Sequence, residues 1–347
     1  MKLTITRYDN IERIVSPLNP HDDVFDWLGY LRAPDYVANC LETVHSCTPA
    51  EAKKRSTKIS SHAKYALQYI AQAKSSPKSV GFLPSYYAIL NLSKIICLTG
   101  PYAGEFTNQT RWHGAAYAVS KKDSRSLMTE EITLKSGGLL ALLYKPLTCG
   151  HELPRSTTIK MESVYPYIPE IAVEYEIASN KKSKLANLEV TVTDSPQADR
   201  ILKVKLHPYG RLPANFSARW VPALTGMQQT NGRPSEFTKN LGILTRGEIM
   251  ETVYSNFRRH LLYFSEINMN SMTALRNQNI RFPREFPVAL MFFHMSSVVR
   301  YKPEFLSKLE NSKFWPMLVT GLRHGLFQFM IQTWCYFQQT HHRISAT

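Results

Sequence analysis

The run from Phe286 to Glu304, F-P-V-A-L-M-F-F-H-M-S-S-V-V-R-Y-K-P-E, constrains the fold more than any other part of the chain. It is too apolar to lie on a surface. It is also too short to span a bilayer, which takes about 20 apolar residues, and His294, Ser296 and Ser297 interrupt it. The remaining reading is a core helix, and the rest of the chain must supply walls on every side. The helix ends on Arg300, Tyr301, Lys302 and Pro303. A guanidinium fixed where a buried helix surfaces is expected to satisfy helix carbonyls or a buried carboxylate.

Other segments supply those walls. Asp22 to Leu31 and Pro34 to Val44 are predicted as two short helices. Thr48-Pro49-Ala50-Glu51 has the form of a capping box with proline at the first helical position, and it predicts a helix to about Lys74. Ser75, Ser76, Pro77 and Lys78 break it. Phe82 to Thr99 is predicted as a helix that is apolar on nearly every side, stopped by a Gly100 cap and by Pro101. Glu131 to Lys135 reads as a strand, Gly137-Gly138 as a turn and Leu139 to Leu147 as a short helix. Ile168 to Ala178 is predicted helical. Leu188 to Thr193 and Ile201 to His207 alternate with period two, which predicts a β-hairpin. The prolines and glycines of 208 to 240 predict a long irregular connection. A second capping box at Thr245 to Glu248 opens a predicted helix to about Ser265. After Phe286 to Tyr301, helices are expected at Pro303 to Leu309 and from Phe314 to about Gln339. The expected fold is therefore mainly α, a multi-helix bundle with a small β-hairpin or sheet in the middle. The division is a helical region 1–150, a mixed region 151–240 and a helical region 241–347 that packs on the first, forming one compact unit.

Charge bears on partners. The chain carries 42 Lys and Arg against 27 Asp and Glu, a net charge of +15. Residues 1–50 are net negative, so the excess lies beyond them. Such a bias attracts polyanions over long range. RNA or DNA is the natural partner, and a protein partner or a second copy of the chain is also expected. Met1 to Asn10 has no apolar core of a signal peptide, and Phe314 to Phe337 is interrupted by Arg323 and His324. No membrane association is expected. The five cysteines are odd in number, far apart and without a C-x-x-C pair. That pattern fits a reducing cytoplasm and supports neither a disulfide framework nor a metal site. No cofactor is expected, because P-loop, dinucleotide-binding and H-E-x-x-H motifs are all missing.

Two constellations are candidates for a site. Tyr87, Asn91 and Lys94 lie at i, i+4 and i+7 of the Phe82 to Thr99 helix and share a stripe. A lysine on so apolar a helix needs a partner or a depressed pKa. With His113 and Arg300 these residues form a candidate polar pocket for an anion or a nucleotide, or else a network that pins two helices. The second constellation is basic and suits contacts to phosphate: Lys53, Lys54, Arg55 and Lys58; Arg111 with Trp112; Lys181, Lys182 and Lys184; and Arg258 with Arg259. Ser297 beside His294 does not make a hydrolase, because no nucleophile elbow or third member accompanies it.

Leu83-Pro84-Ser85-Tyr86-Tyr87-Ala88-Ile89-Leu90-Asn91-Leu92-Ser93-Lys94, then His113-Gly114, then Met295-Ser296-Ser297-Val298-Val299-Arg300-Tyr301-Lys302-Pro303-Glu304, resemble the YaaC-like family of bacterial proteins. The Ile132 to Leu147 stretch is similar too. The resemblance implies a mostly α-helical, intracellular protein and points to no particular reaction. The Tyr86-Tyr87 helix followed by His-Gly is also similar to the helical HEPN domains, many of them RNases or parts of toxin-antitoxin and defence systems. Their Arg-x4–6-His motif has two spacing matches here, Arg55 with His62 and Arg200 with His207. Neither match lies where those domains carry the motif. The leading functional expectation is a nucleic-acid-associated protein, a subunit or effector of a bacterial defence or stress system. A scaffold without chemistry and a metal-independent RNase stay open as alternatives.

Overall fold

The computed structural model describes residues 2–3, 10–14, 19–107, 113–117, 126–148, 150–153, 157–194, 199–208, 224, 226–231, 233–245, 248, 263–265, 270–274 and 282–344. Its helices are α1 (Pro20–Tyr30), α2 (Pro34–Thr43), α3 (Pro49–Ser75), α4 (Lys78–Thr99), α5 (Leu139–Leu147), α6 (Ala172–Ser179), α7 (Glu285–Tyr301), α8 (Pro303–Glu310), α9 (Trp315–Thr320) and α10 (Leu326–Gln338). The protein is mainly α.

Helix α4 is the axis of the core and touches α3, α5, α7 and α10. Its apolar residues have no preferred side, so it can be satisfied only by neighbours all round. By length and composition α4 could cross a membrane, but most of it is buried inside the protein. Phe82 meets Phe292 of α7 and Trp315 of α9, with ring centroids 6.1 and 6.4 Å apart. Tyr86 meets Phe293 of α7 edge-on at 5.7 Å. Each such ring, fully buried, contributes about 1.5–3 kcal/mol. Helix α7 is buried from Glu285 through Val298 and surfaces at Val299, Arg300 and Tyr301. The arginine therefore stands where the core helix leaves the core.

The expected long C-terminal helix is interrupted. Between α9 and α10, Gly321–Gly325 forms a π-helical turn. A Cβ on Gly321 would sit 2.8 Å from Met291 Sδ, and one on Gly325 would sit 3.3 Å from Phe292 and Val288. The two glycines admit α7 at close range, and the widened turn accompanies that contact. Gly100 ends α4 as expected, but with φ −81° and not in the left-handed conformation of a glycine cap. A side chain there would collide with the Tyr336 hydroxyl.

The β structure exceeds the small element expected. The strands are β1 (Lys2–Leu3), β2 (Asn10–Ile14), β3 (Ala115–Tyr117), β4 (Glu131–Leu134), β5 (Thr157–Lys160), β6 (Leu185–Asp194), β7 (Arg200–Pro208), β8 (Gln228–Thr230), β9 (Arg233–Gly242), β10 (Tyr263–Ser265), β11 (Asn270–Ala274) and β12 (Thr340–Ile344). The expected β6–β7 hairpin is the middle of a seven-stranded antiparallel sheet ordered β10-β11-β6-β7-β9-β8, with β1 also paired to β6. Strand β9 lies mostly within the expected irregular connection and ends two residues beyond it, at Gly242. Pro234 is tolerated because β9 pairs with β7 only from Glu236 onward. The second capping box forms, with Glu248 N donating to Thr245 Oγ1 at 3.3 Å. Its expected helix does not reach Ser265, because Tyr263–Ser265 is β10; positions 249–262 lie outside the described residues. A three-stranded sheet, β3-β4-β5, lies beside α5, and β12 pairs in parallel with β2.

Candidate functional site

His113 is held by its backbone. Its carbonyl accepts from Leu140 N in the first turn of α5 at 3.2 Å, and the Gly114 carbonyl accepts from Lys135 N at 2.9 Å. Gly114 has φ +78°, and a Cβ on it would sit 3.0 Å from Gly137 O and 3.1 Å from Leu140 N. A glycine is needed at this position both for its φ and for its space. The Gly137-Gly138 turn and the His113-Gly114 pair thus lock together and direct the imidazole at α4.

The Tyr86 hydroxyl lies 2.8 Å from His113 Nδ1. That hydroxyl is deeply buried, and among the described residues His113 is its hydrogen-bond partner. One turn further along α4, Asn91 Nδ2 donates to Tyr87 O at 2.8 Å, which turns Asn91 Oδ1 to His62 Nδ1 at 3.0 Å. His62, on α3, therefore donates from Nδ1.

Three cations act on these imidazoles, and Lys94 acts on both. Burial lowers the His113 pKa, and Arg300 and Lys94 lower it further. Burial likewise pushes His62 down to about 4; the Asn91 hydrogen bond opposes this, and Lys94 and Lys58 add to it. Burial raises the Tyr86 pKa while Arg300 works against it. Lys94 of α4 and Arg300 of α7 thus lie within electrostatic reach of one imidazole, although 206 positions separate them in the chain. Arg300 Nε donates to Ser296 O at 3.1 Å and pairs with no carboxylate among the described residues. Among the described residues, near neutral pH, Lys94 and Arg300 bring positive charge to two neutral imidazoles. With neither imidazole charged, the positive charge of the cluster comes from its Lys and Arg side chains. The arrangement suits binding an anion.

Of the residues expected from sequence, Asn91 bonds His62, and Lys94 and Arg300 both act electrostatically on His113. Tyr87 accepts from Asn91 through its carbonyl, and its ring turns toward α3. It stacks on Tyr69 of α3 with centroids 5.2 Å apart, and its neighbour Tyr86 reaches the histidine. The basic runs separate. Lys54 and Lys58 are exposed one turn apart on α3 and lead along one face to His62, with Lys53 exposed beside them. Arg55 turns back to Glu51, 3.6 Å away, and to Cys47 Sγ. Lys181 and Lys182 are tied to Glu162 and Glu176 at 3.4 and 2.8 Å, and Lys184 is exposed. Arg111, Trp112, Arg258 and Arg259 lie outside the described residues. The two Arg–His spacings also fare differently from a dyad. Arg55 and His62 are two helical turns apart, about 10 Å along the axis. Arg200 and His207 lie about 23 Å apart on opposite faces of β7, and His207 pairs with Glu189 at 2.9 Å.

A model of the YaaC-like proteins matches residues 30–336. The chain belongs to the YaaC-like family. No curated protein and no solved structure matches it. The match spans the whole cluster from His62 to Arg300, the three-stranded sheet that positions His113 and most of the seven-stranded sheet.

This YaaC-like chain holds a second buried polar group that sequence reasoning missed. Glu130 accepts from the Tyr117 hydroxyl and lies 3.3 Å from Lys302 Nζ. His294 is fully buried, with Nδ1 3.2 Å from the Tyr165 hydroxyl and Nε2 3.8 Å from Glu130 Oε2. Burial alone would raise the Glu130 carboxyl, but His294, Tyr117 and Lys302 together hold it below the ordinary carboxylate range. Burial keeps His294 neutral. Of the two partners expected for Arg300, it takes a helix carbonyl, that of Ser296, while the buried carboxylate at this end of α7 pairs with Lys302. Arg284 at the other end of α7 pairs with Glu170 at 2.6 Å. Both pairs anchor α7 at its ends and leave Arg300 to the anion cluster. Pattern offered no signal for Glu130, which sits alone between a turn and a strand. His62 did carry one, lying one turn beyond Lys58.

Proposed function

We propose that this protein associates with nucleic acid and grips its backbone phosphate between Lys94 and Arg300. The observation that supports the reading is the convergence of these two cations on His113, with no carboxylate paired to Arg300 among the described residues. Lys54 and Lys58 extend the positive track along α3 to His62, where a strand can follow. Contacts of this kind go to phosphate, so binding should be salt-sensitive and weakly dependent on sequence. The test is fluorescence anisotropy with labelled RNA and DNA at two salt concentrations, for the wild type and for Lys94→Ala. The reading expects binding at low salt that weakens as salt rises and weakens further in the variant. An absence of binding at low salt would sink it.

A self-associating subunit is the second reading. Val173 and Ile177 are exposed on one face of α6, 63 % and 77 % accessible, an apolar pair that a second copy could cover. Sedimentation of the wild type and of Ile177→Lys decides it: a dimer that the substitution dissociates supports the reading, and a monomer rejects it.

A further inference from the structure

Helix α5 presents one face to an open cleft of about 750 Å³. Gly138, Ala141, Leu142 and Lys145 lie at i, i+3, i+4 and i+7, so they share that face, and all four line the cleft. The volume is typical of small-molecule sites, which range over about 300–1,000 Å³. From Gly138 to Lys145 the helix rises about 10 Å. The floor is apolar, with Ala141, Leu142 and Leu153 buried.

The two ends of this face differ in charge. At the start of α5 the Lys135 to Gly138 turn is tied to the His113-Gly114 turn, through Lys135 N on Gly114 O and Leu140 N on His113 O. Lys135 lines the cleft, is exposed, and pairs with no carboxylate among the described residues. No side chain caps α5, so its amide end adds positive potential here. Toward the other end, Lys145 is held between Glu105 and Glu152 at 2.8 and 3.4 Å, two carboxylates around one ammonium. Glu152 is 81 % exposed and has room to accept a second cation. With two lysines and two glutamates the cleft is neutral as a whole. Its positive excess lies at the start of α5 and its negative excess about 10 Å along the helix.

We infer that the cleft binds an elongated zwitterion. Its carboxylate lies at Lys135 and the start of α5, its aliphatic chain covers Ala141 and Leu142, and its ammonium or guanidinium meets Glu105 and Glu152. Free lysine or arginine carries these groups, and so does either residue at the C-terminus of a peptide. The carboxylate carbon and terminal nitrogen of an extended lysine lie roughly 7–8 Å apart, which fits the length of the face. A short zwitterion cannot reach both ends, and an ion of one sign satisfies only one. An aliphatic stem on apolar surface with its charged head at a carboxylate is the ordinary way such side chains are covered. Neither Lys94 nor Arg300 lines the cleft, so this site stands apart from the phosphate reading.

The experiment is calorimetric titration of the full chain at low salt. The probes are 6-aminohexanoate, hexanoate and hexylamine, which each keep one of its charges, and glycine, which keeps both on a short frame. The first should bind at least about tenfold tighter than any of the others. Lys135→Met should bring 6-aminohexanoate down to the level of hexylamine. Glu152→Gln should weaken 6-aminohexanoate and hexylamine alike and leave hexanoate unchanged. Both positions are exposed, so neither change threatens the core. Lysine and its Nα-acetyl form then separate the sources: tighter binding of the acetylated form assigns a peptide C-terminus, and tighter binding of lysine assigns the free amino acid; either supports the site. If hexanoate, hexylamine or glycine binds as tightly as 6-aminohexanoate, if neither variant weakens it, or if it does not bind at millimolar concentration, the inference is overturned.

Discussion

His62 gives the cluster a measurable signature in the stability of the fold. Its imidazole is held neutral with a pKa of about 4, against an ordinary value of 6.5. A base whose folded pKa is depressed disfavours its own protonation in the native state. Its contribution is complete above pH 6.5 and is lost as the pH falls toward 4, because the unfolded chain binds the proton first. Between pH 7.5 and pH 5 this one group should remove about 2 kcal/mol of stability. Replacing it by Gln keeps an amide that can donate to Asn91 Oδ1 and removes the titration. The assay is urea denaturation of the wild type and His62→Gln at both pH values. The other buried histidines, including His113 and His294, contribute equally to both proteins. The wild type should therefore lose about 2 kcal/mol more than the variant on going to pH 5. Parallel losses in the two proteins would refute the reasoning, since His62 would then titrate as it does in the unfolded chain.

Further outcomes follow from the same geometry. Glu130→Ala leaves Lys302 and Tyr117 facing a void and should cost about 3–5 kcal/mol by thermal denaturation, with Glu130→Gln costing distinctly less; equal costs would mean that the charge is irrelevant. Gly114→Ala forces a Cβ into Gly137 O and Leu140 N at a positive φ, and should lower stability by at least about 1–2 kcal/mol; an unchanged melting temperature would contradict the locked turn. In strand binding, Lys54→Ala with Lys58→Ala should reduce the salt dependence by about two counterions, whereas Lys181→Ala with Lys182→Ala should change it little, because that pair is already tied to Glu162 and Glu176. The opposite ranking would move the nucleic-acid track away from α3.

The sequence carries the helices of this fold more clearly than its sheets, and local physics explains the difference. Helices α3, α4 and α7 announce themselves through capping residues, apolar density and abrupt polar ends, all of which act within a few turns. Strand β9 hides behind Pro234 and nearby glycines, because a proline reads as a breaker unless the pairing register is known. The π-helical turn at Gly321 was illegible because it accompanies a close contact with Met291 on a helix that crosses it. Much the same holds for the site. Asn91 and Lys94 shared a predicted stripe because helical spacing places them together. Tyr86 and Tyr87 could not be told apart, since a helix that is apolar all round gives no phase. That Arg300 and Lys94 act on the same imidazole depends on α7 packing against α4, and no spacing encodes that. Glu130 lies 172 positions from Lys302 and belongs to no pattern at all.

The central claim is that Lys94 and Arg300 hold one phosphate together. A double-mutant cycle tests it directly: the affinity of a labelled single strand for the wild type, Lys94→Ala, Arg300→Ala and the double variant, at fixed low salt. Two cations on one phosphate predict that each single change weakens binding and that the double change departs from the sum by at least about 0.5 kcal/mol. Single variants that bind as the wild type does, or losses that simply add, would contradict a shared site.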